Sequence, residues 1–148
     1  MSVFKATLRT SLALGIGILV AFVTIMLIEQ ISHYFFPLPA NIDWGDSTAS
    51  TQYMSQLPAM ALLLVLFAWC SGISLGIVSA SWIARRVRGR FALAIGSLIG
   101  IGAIANMLML PHPIWFMSLT AIVLPAVTFG CWWLLKGKKK SNIGGSHE

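Results

Sequence analysis

Residues 58–90 read PAMALLLVLFAWCSGISLGIVSASWIARRVRGR, an apolar run that ends in a cluster of four arginines. The apolar part, residues 58–84, is 27 residues long. About 20 apolar residues at a rise of about 1.5 Å each are enough to cross the ~30 Å hydrocarbon core of a bilayer. Lys and Arg in short loops resist translocation and stay on the cytoplasmic side. The stretch therefore predicts a transmembrane helix whose C-terminal end faces the cytoplasm.

Basic clusters of this kind occur at three places and contain all ten basic residues of the chain. The apolar runs between them predict four membrane spans, at about 7–29, 58–84, 91–110 and 114–135. Because the three clusters must share one side of the membrane, both termini and the middle loop are expected in the cytoplasm. The clusters consist of Lys5 and Arg9, of Arg85, Arg86, Arg88 and Arg90, and of Lys136, Lys138, Lys139 and Lys140.

The predicted fold is all-α, with residues 1–140 forming one integral membrane domain, an up-down bundle of four helices. The segment 37–56 carries acidic residues and no basic ones, so it is expected to be a polar outer loop. The two prolines of the segment 111–113 predict a tight outer turn, since neither can donate a helical hydrogen bond. Residues 141–148, with two adjacent glycines, are expected to form a mobile C-terminal tail.

The composition excludes an ordinary soluble domain, because 57% of the residues are hydrophobic and only 9% are charged, against about 25% charged in soluble proteins. A net charge of +6 would also suit a nucleic-acid binder, but the basic residues flank apolar runs instead of forming a polar stripe. Attraction to anionic phospholipid headgroups explains them, and no nucleic-acid partner is expected. The residues assigned to headgroup contact are Arg85, Arg86, Arg88, Arg90, Lys138, Lys139 and Lys140.

Small residues recur at intervals of four in the first three predicted spans. Such stripes let helix backbones approach closely in lipid, where no hydrophobic force drives helices together. The stripes are therefore predicted to be helix contact faces. Packing within the chain is favoured, and contacts between subunits remain an alternative. The main contact positions are Gly17, Gly72, Gly76, Gly96 and Gly100.

Four polar residues are predicted to meet near the outer surface of the membrane. Glu29 follows Arg9 by 20 residues, which places it about 30 Å further along a helix, at the outer edge of the hydrocarbon. His33 lies four residues later, on the same helix face. Asn106 reaches a similar depth from the third span, and His112 lies in the adjacent turn. These four side chains are expected to converge on an outward-facing polar pocket.

Three interpretations of this pocket are open. The favoured one is a structural polar cluster that ties helix ends together and holds neither metal nor cofactor. A metal site is the second, because one Glu and two His suit zinc, whereas Met107 and Met109 with the two His suit Cu(I). The third is a proton relay or substrate site of a small transporter, since ionisable groups within membranes are often functional. Transport by so short a chain would require a homodimer.

An enzyme is the least supported class of function. The chain contains no HExxH motif, no Walker loop, no dinucleotide-binding glycine motif and no recognisable Ser/His/Asp constellation. Asp43 or Asp46 could serve as a general acid with His33 as the base. Asp residues in a polar loop are more often turn formers, so no enzymatic activity is expected.

Residues 33–43, HYFFPLPANID, are followed by the sequence Leu-Pro-Ala at residues 57–59, by the glycine-rich second span and by the turn at 106–113. In these parts the chain resembles a group of uncharacterised small bacterial membrane proteins with four helices. The resemblance implies the fold, the topology and a place in the bacterial inner membrane. It implies no activity.

The function predicted from the sequence is that of a small non-enzymatic membrane protein. It would act as a packing or accessory subunit of a larger membrane protein, or associate with itself. The alternative is a small dimeric transporter of a solute, ion or metal that uses the polar pocket around Glu29 and His33.

Overall fold

The computed structural model describes residues 2–37, 46–84 and 88–136, and these residues contain helices and no β-strand. Four of the helices described are long and apolar enough to cross a membrane, and a short one lies between the first two of these. The helices are α1 (Ser2–Phe35), α2 (Ser47–Gln56), α3 (Ala59–Ala84), α4 (Arg88–Met109) and α5 (Ile114–Lys136).

The four long helices coincide with the four apolar runs, with small differences at their ends. α3 begins one residue after Pro58, and α4 begins three residues before the predicted start of the third span at residue 91. α1 continues beyond the end of the first apolar run, past residue 29 to Phe35. No proline or glycine interrupts the chain there before Pro37, so the helix has no local reason to stop.

The prediction that residues 37–56 form a loop is wrong for the second half of this segment, where α2 is found. Asp46 is its N-cap, because the Asp46 carboxylate accepts a hydrogen bond of 2.8 Å from the backbone N–H of Thr48. At the other end, the N–H of Leu57 donates to the carbonyl of Tyr53. Met54 is buried in the hydrophobic core, which joins this short helix to the rest of the molecule.

α1 and α3 pack antiparallel, with their backbones in close contact. Gly17 lies against Gly76 and Ala80, and Gly72 lies against Ala21. A Cβ atom added at Gly76 would lie only 2.6 Å from the carbonyl oxygen of Gly17, so neither position has room for a larger side chain. The small residues of these two helices therefore face each other within the chain, which brings many atoms into van der Waals contact.

α3 is the central helix of the bundle, since it contacts α1, α4 and α5. Half of its most apolar window is buried, compared with 22% for α1 and 17% for α5. Trp69 of α3 packs against Phe116 of α5, with ring centroids 6.2 Å apart. On the outside, α1 and α5 expose large apolar side chains such as Leu19 and Ile122. This surface suits hydrocarbon and not water.

The contact between α4 and α5 follows a spacing of seven residues along α4. Gly89 lies against Trp132, Gly96 lies against Thr128, and Ala103 is buried. Gly100 makes no close contact of this kind within the chain, because no described atom outside its own helix turns lies within 4 Å of a Cβ built there. A residue four positions after Gly96 is rotated about 40° from it, while a residue seven positions later is rotated by only about 20°, so Gly100 turns away from α5.

One end of the bundle gathers the described basic residues that flank the helices. The Arg9 guanidinium donates through Nε to the carbonyl of Ile83 at 2.9 Å, which joins the start of α1 to the end of α3. That carbonyl belongs to the last turn of a helix, where it lacks a helical partner and where a cation is stabilised by the helix dipole. The Lys136 ammonium lies 4.5 Å from the centre of the Trp132 ring. We call this end, defined by Arg9, Arg90 and Lys136, the basic end.

Several residues with predicted roles lie outside the described residues. They are Asp43, Arg85, Arg86, Lys138, Lys139, Lys140 and the tail at 141–148, and the side chain of Arg88 is also not described.

Replacing Gly17 with Leu is expected to lower the free energy of unfolding by about 3 kcal/mol, the upper part of the range for overpacking. The new Cβ would lie 2.7 Å from both the Ala80 Cβ and the Gly76 carbonyl oxygen. Gly15→Leu is the matched control, because nothing lies within 4 Å of its Cβ position and leucine favours a helix more than glycine does. Thermal unfolding in mild detergent measures both. Equal melting temperatures for the two variants would contradict the contact.

Candidate functional site

A cavity of about 490 Å³ lies at the end of the bundle opposite the basic end. It is formed by the last turns of α1, one side of α2, the first turns of α3, the end of α4 and the turn that follows α4. None of its described lining residues belongs to α5. The cavity therefore depends on the antiparallel packing of α1 on α3, which sets where these helix ends stand.

The structure brings all four residues of the predicted outer pocket to the lining of this one cavity. Glu29 and His33 reach it from α1, Asn106 from α4, and His112 from the turn at residues 110–113. Glu29, Asn106 and His112 are partly buried, whereas His33 is exposed. His33 and Asn106 are 73 residues apart in sequence, so the packing of α1, α3 and α4 is what brings the two pairs together.

Glu29 and His33 face the same cavity, and His33 acts electrostatically on Glu29. The structure shows no direct ion pair between them within 4.0 Å. None of the described lining residues is a Lys or an Arg. The Glu29 carboxylate is thus partly buried in the cavity wall without a cationic side chain in direct contact.

His112 is fixed in orientation by two contacts. Its Nδ1 lies 2.8 Å from the carbonyl oxygen of Leu110, and its ring stacks on Phe116 with centroids 5.2 Å apart. Because a carbonyl oxygen can only accept, Nδ1 must carry the proton, and Nε2 of the neutral ring is an acceptor. Burial lowers the pKa of His112 below its ordinary value of 6.5, against the opposing effect of the Leu110 hydrogen bond. At neutral pH this imidazole is therefore uncharged.

The rest of the lining includes residues that sequence reasoning did not assign to the pocket. Ser32 and Phe36 come from α1, and Tyr53 and Met54 come from α2. Burial raises the pKa of the Tyr53 phenol, so it stays protonated at neutral pH. The available sequence signal was Asp46, a good N-cap residue that starts α2 and so places Tyr53 and Met54 near the end of α1. Without α2 the cavity would lack one wall.

Another part of the cavity lining is apolar. It is formed by side chains at the start of α3, among them Ala61, Leu62 and Val65, together with Leu57 just before that helix. On α4, Met109 lines the cavity and is 82% exposed, and Leu108 next to it in the chain is 80% exposed. The lining thus combines polar and apolar groups and includes an exposed apolar side chain.

A zinc site would need a cluster of metal ligands, and the part of the chain that the structure describes contains none. No three His, Cys, Asp or Glu side chains there lie close enough together to hold a metal ion. Of the two carboxylates considered as a general acid, Asp46 is engaged in capping α2, and Asp43 lies outside the described residues. Chemically, the cavity offers a carboxylate and neutral polar groups that accept and donate hydrogen bonds, beside apolar side chains.

The fold and the cavity together define a class: a small helical protein with four apolar helices long enough to cross a membrane and an amphipathic cavity at the end opposite the basic end. No family model, no curated protein and no solved structure matches the chain.

The lowered pKa of His112 predicts that the protein loses stability as the pH falls below about 6.5. Below that pH the unfolded chain binds a proton at His112 while the folded chain resists it, so acid shifts the equilibrium toward unfolding. His112→Asn is the informative variant, because its amide can still donate to the Leu110 carbonyl but does not titrate. Melting temperatures between pH 7.5 and pH 5 should fall less steeply for this variant than for the original protein. Parallel curves would refute the assignment.

Proposed function

We propose that this chain is a non-enzymatic, four-span protein of the bacterial inner membrane that binds a small amphipathic molecule in the cavity at its outer end. The observation that carries the proposal is that Glu29 and His33 of α1 line one cavity together with Asn106 and His112, and that the rest of the lining is largely apolar. Ligand sites in proteins are concave, mostly apolar and supplied with a few convergent polar groups, and they measure about 300–1,000 Å³. The cavity of 490 Å³ has this character and size.

The proposed orientation places the basic end in the cytoplasm and the cavity on the outer side, with the four spans in up-down order. Arg9, Arg90 and Lys136 support it, because they stand at one end of the bundle and the cavity stands at the other. Basic residues in short loops stay on the cytoplasmic side, and they are attracted there to anionic phospholipids. Both chain termini are then cytoplasmic.

Self-association is a second candidate function, supported by the surface of α4. Gly102 is exposed and has open space where a Cβ would stand, so α4 presents a shallow face to its surroundings at this position. Small residues on a membrane helix let another helix approach closely. A second copy of the chain, or a larger membrane protein, would fit such a face. This role as an accessory subunit is compatible with ligand binding at the outer end.

The orientation predicts opposite results for two reporters fused after residue 148. A fluorescent protein that matures only in the cytoplasm should be bright, and alkaline phosphatase, which is active only in the periplasm, should be inactive. The same phosphatase inserted within residues 38–45 should be active, since that segment is proposed to lie outside. An active C-terminal phosphatase fusion would reverse the orientation and move the cavity to the cytoplasmic side.

The binding proposal predicts that filling the cavity removes a bound molecule. Ala61 lines the cavity, so Ala61→Phe should occupy the space that the ligand uses. Ala59→Phe is the matched control, because Ala59 is exposed on the same helix and does not line the cavity. Native mass spectra of protein extracted in mild detergent should show a small-molecule adduct for the original protein and the control, and none for Ala61→Phe. Identical adducts in all three proteins would exclude the cavity as the binding site.

A further inference from the structure

The charges around the cavity narrow the chemistry of its ligand. Glu29 is the carboxylate of the lining, and the described lining contains no Lys or Arg. The described basic side chains Arg9, Arg90 and Lys136 stand at the opposite end of the bundle. A partly buried carboxylate is stabilised when a cation comes close, and here no side chain supplies one in direct contact.

The neutral polar groups of the cavity also offer acceptors to a ligand that donates hydrogen bonds. Nδ1 of His112 is occupied by the Leu110 carbonyl, so the remaining nitrogen, Nε2, is an acceptor. Asn106 and Ser32 add oxygen atoms that can accept, and their amide and hydroxyl groups can also donate. An ammonium group has three N–H donors and no acceptor, so it can bond to the Glu29 carboxylate and to these acceptor atoms together. A phosphate or carboxylate would instead meet the negative charge of Glu29.

The apolar part of the cavity indicates what the ammonium group is attached to. Leu62 and Val65 form a wall without polar groups, and Phe36 and Tyr53 supply aromatic rings, which attract cations through their faces. Met109 belongs to the lining and is also exposed, so it offers apolar surface to a hydrocarbon chain that extends out of the cavity. The ligand therefore needs a cationic head and an apolar tail.

From these observations we infer that the cavity binds an ammonium group carried on a hydrocarbon tail, with Glu29 as its counter-ion and the acceptors of His112, Asn106 and Ser32 as its hydrogen-bond partners. This inference rests on the proposed function and names its ligand class. Two sources share the chemistry: an amine headgroup of a membrane lipid, and a free cationic amphiphile.

The test compares three probes with the same twelve-carbon tail: dodecylamine, dodecanol and dodecanoate. Native mass spectrometry of the full-length protein in detergent, titrated with each probe, measures the affinity. Dodecylamine should bind about tenfold or more tightly than dodecanol, and dodecanoate should bind least, since a hydrogen-bonded charge pair is worth about this much. Equal affinities for the amine and the alcohol would overturn the inference.

Glu29→Gln tests the counter-ion directly and keeps the shape of the side chain. It should lower the affinity for dodecylamine about tenfold and leave the affinity for dodecanol unchanged. Asp46→Asn is the matched control, because it removes a carboxylate from the same end of the molecule but outside the lining, and asparagine still caps α2. The control should bind dodecylamine like the original protein. Equal losses in both variants would mean that only the general charge of this end matters, which contradicts the inference.

The binding results of the three probes distinguish failure of the inference from failure of the proposed function. If all probes bind alike and Ala61→Phe blocks all of them, the cavity is a binding site without selectivity for ammonium, and only the inference is wrong. If no probe binds to the original protein, both are wrong. The source is identified with vesicles that contain equal phosphatidylethanolamine and phosphatidylglycerol. If the natural ligand is a lipid, the lipid retained after extraction should be enriched in phosphatidylethanolamine. If dodecylamine binds without this enrichment, the natural ligand is a free amphiphile.

Discussion

The close contact between the backbones of α1 and α3 is the constraint on which the rest of this structure depends. In lipid, helices gain little from burying apolar surface, so their association relies on van der Waals contact and on the few polar bonds they share. Gly17, Gly72 and Gly76 allow that contact, and each of them excludes a side chain at its position. The hydrogen bond from Arg9 to the last turn of α3 fixes the register at one end. Because the N-terminal end of α1 is fixed against the end of α3, Glu29 and His33 near the C-terminal end of α1 lie beside the start of α3.

This register explains why the two ends of the molecule differ so sharply in chemistry. At one end, the last turn of α3 accepts a hydrogen bond from the Arg9 guanidinium, and Lys136 lies in the last turn of α5, where a cation is favoured by the helix dipole. At the other end, the turn between α4 and α5 and the short helix α2 surround an open volume instead of filling it. Packing to full density is the norm in protein interiors, so a space of this size lined by a carboxylate, two imidazoles and an amide is an exception. Such exceptions are more readily explained by binding than by stability.

Much of this architecture could be predicted from the sequence, because its strongest signals are one-dimensional. Apolar runs of membrane length and clusters of arginine and lysine located the four long helices, and simple helix geometry placed Glu29, His33, Asn106 and His112 at one end. α2 escaped prediction because its polar composition resembles that of a loop, and its attachment depends on the burial of Met54. Gly100 was assigned to a contact because spacings of four and seven residues coexist on α4, and the sequence alone does not say which one faces α5. Which nitrogen of His112 is protonated depends on its contact with the Leu110 carbonyl oxygen, and this contact is visible only in the folded structure.

The length of α1 has a consequence for how a ligand would arrive. Its 34 residues extend about 51 Å, which exceeds the roughly 40–45 Å of a whole bilayer with its headgroups. In the orientation that we propose, Arg9 lies at the inner surface, and Glu29, about 30 Å away along the helix, lies at the boundary between hydrocarbon and headgroups. An amphiphile at that boundary is already oriented, with its head at the level of the carboxylate and its tail in the leaflet. The surrounding leaflet then serves as the reservoir, and lateral diffusion in two dimensions replaces diffusion through water.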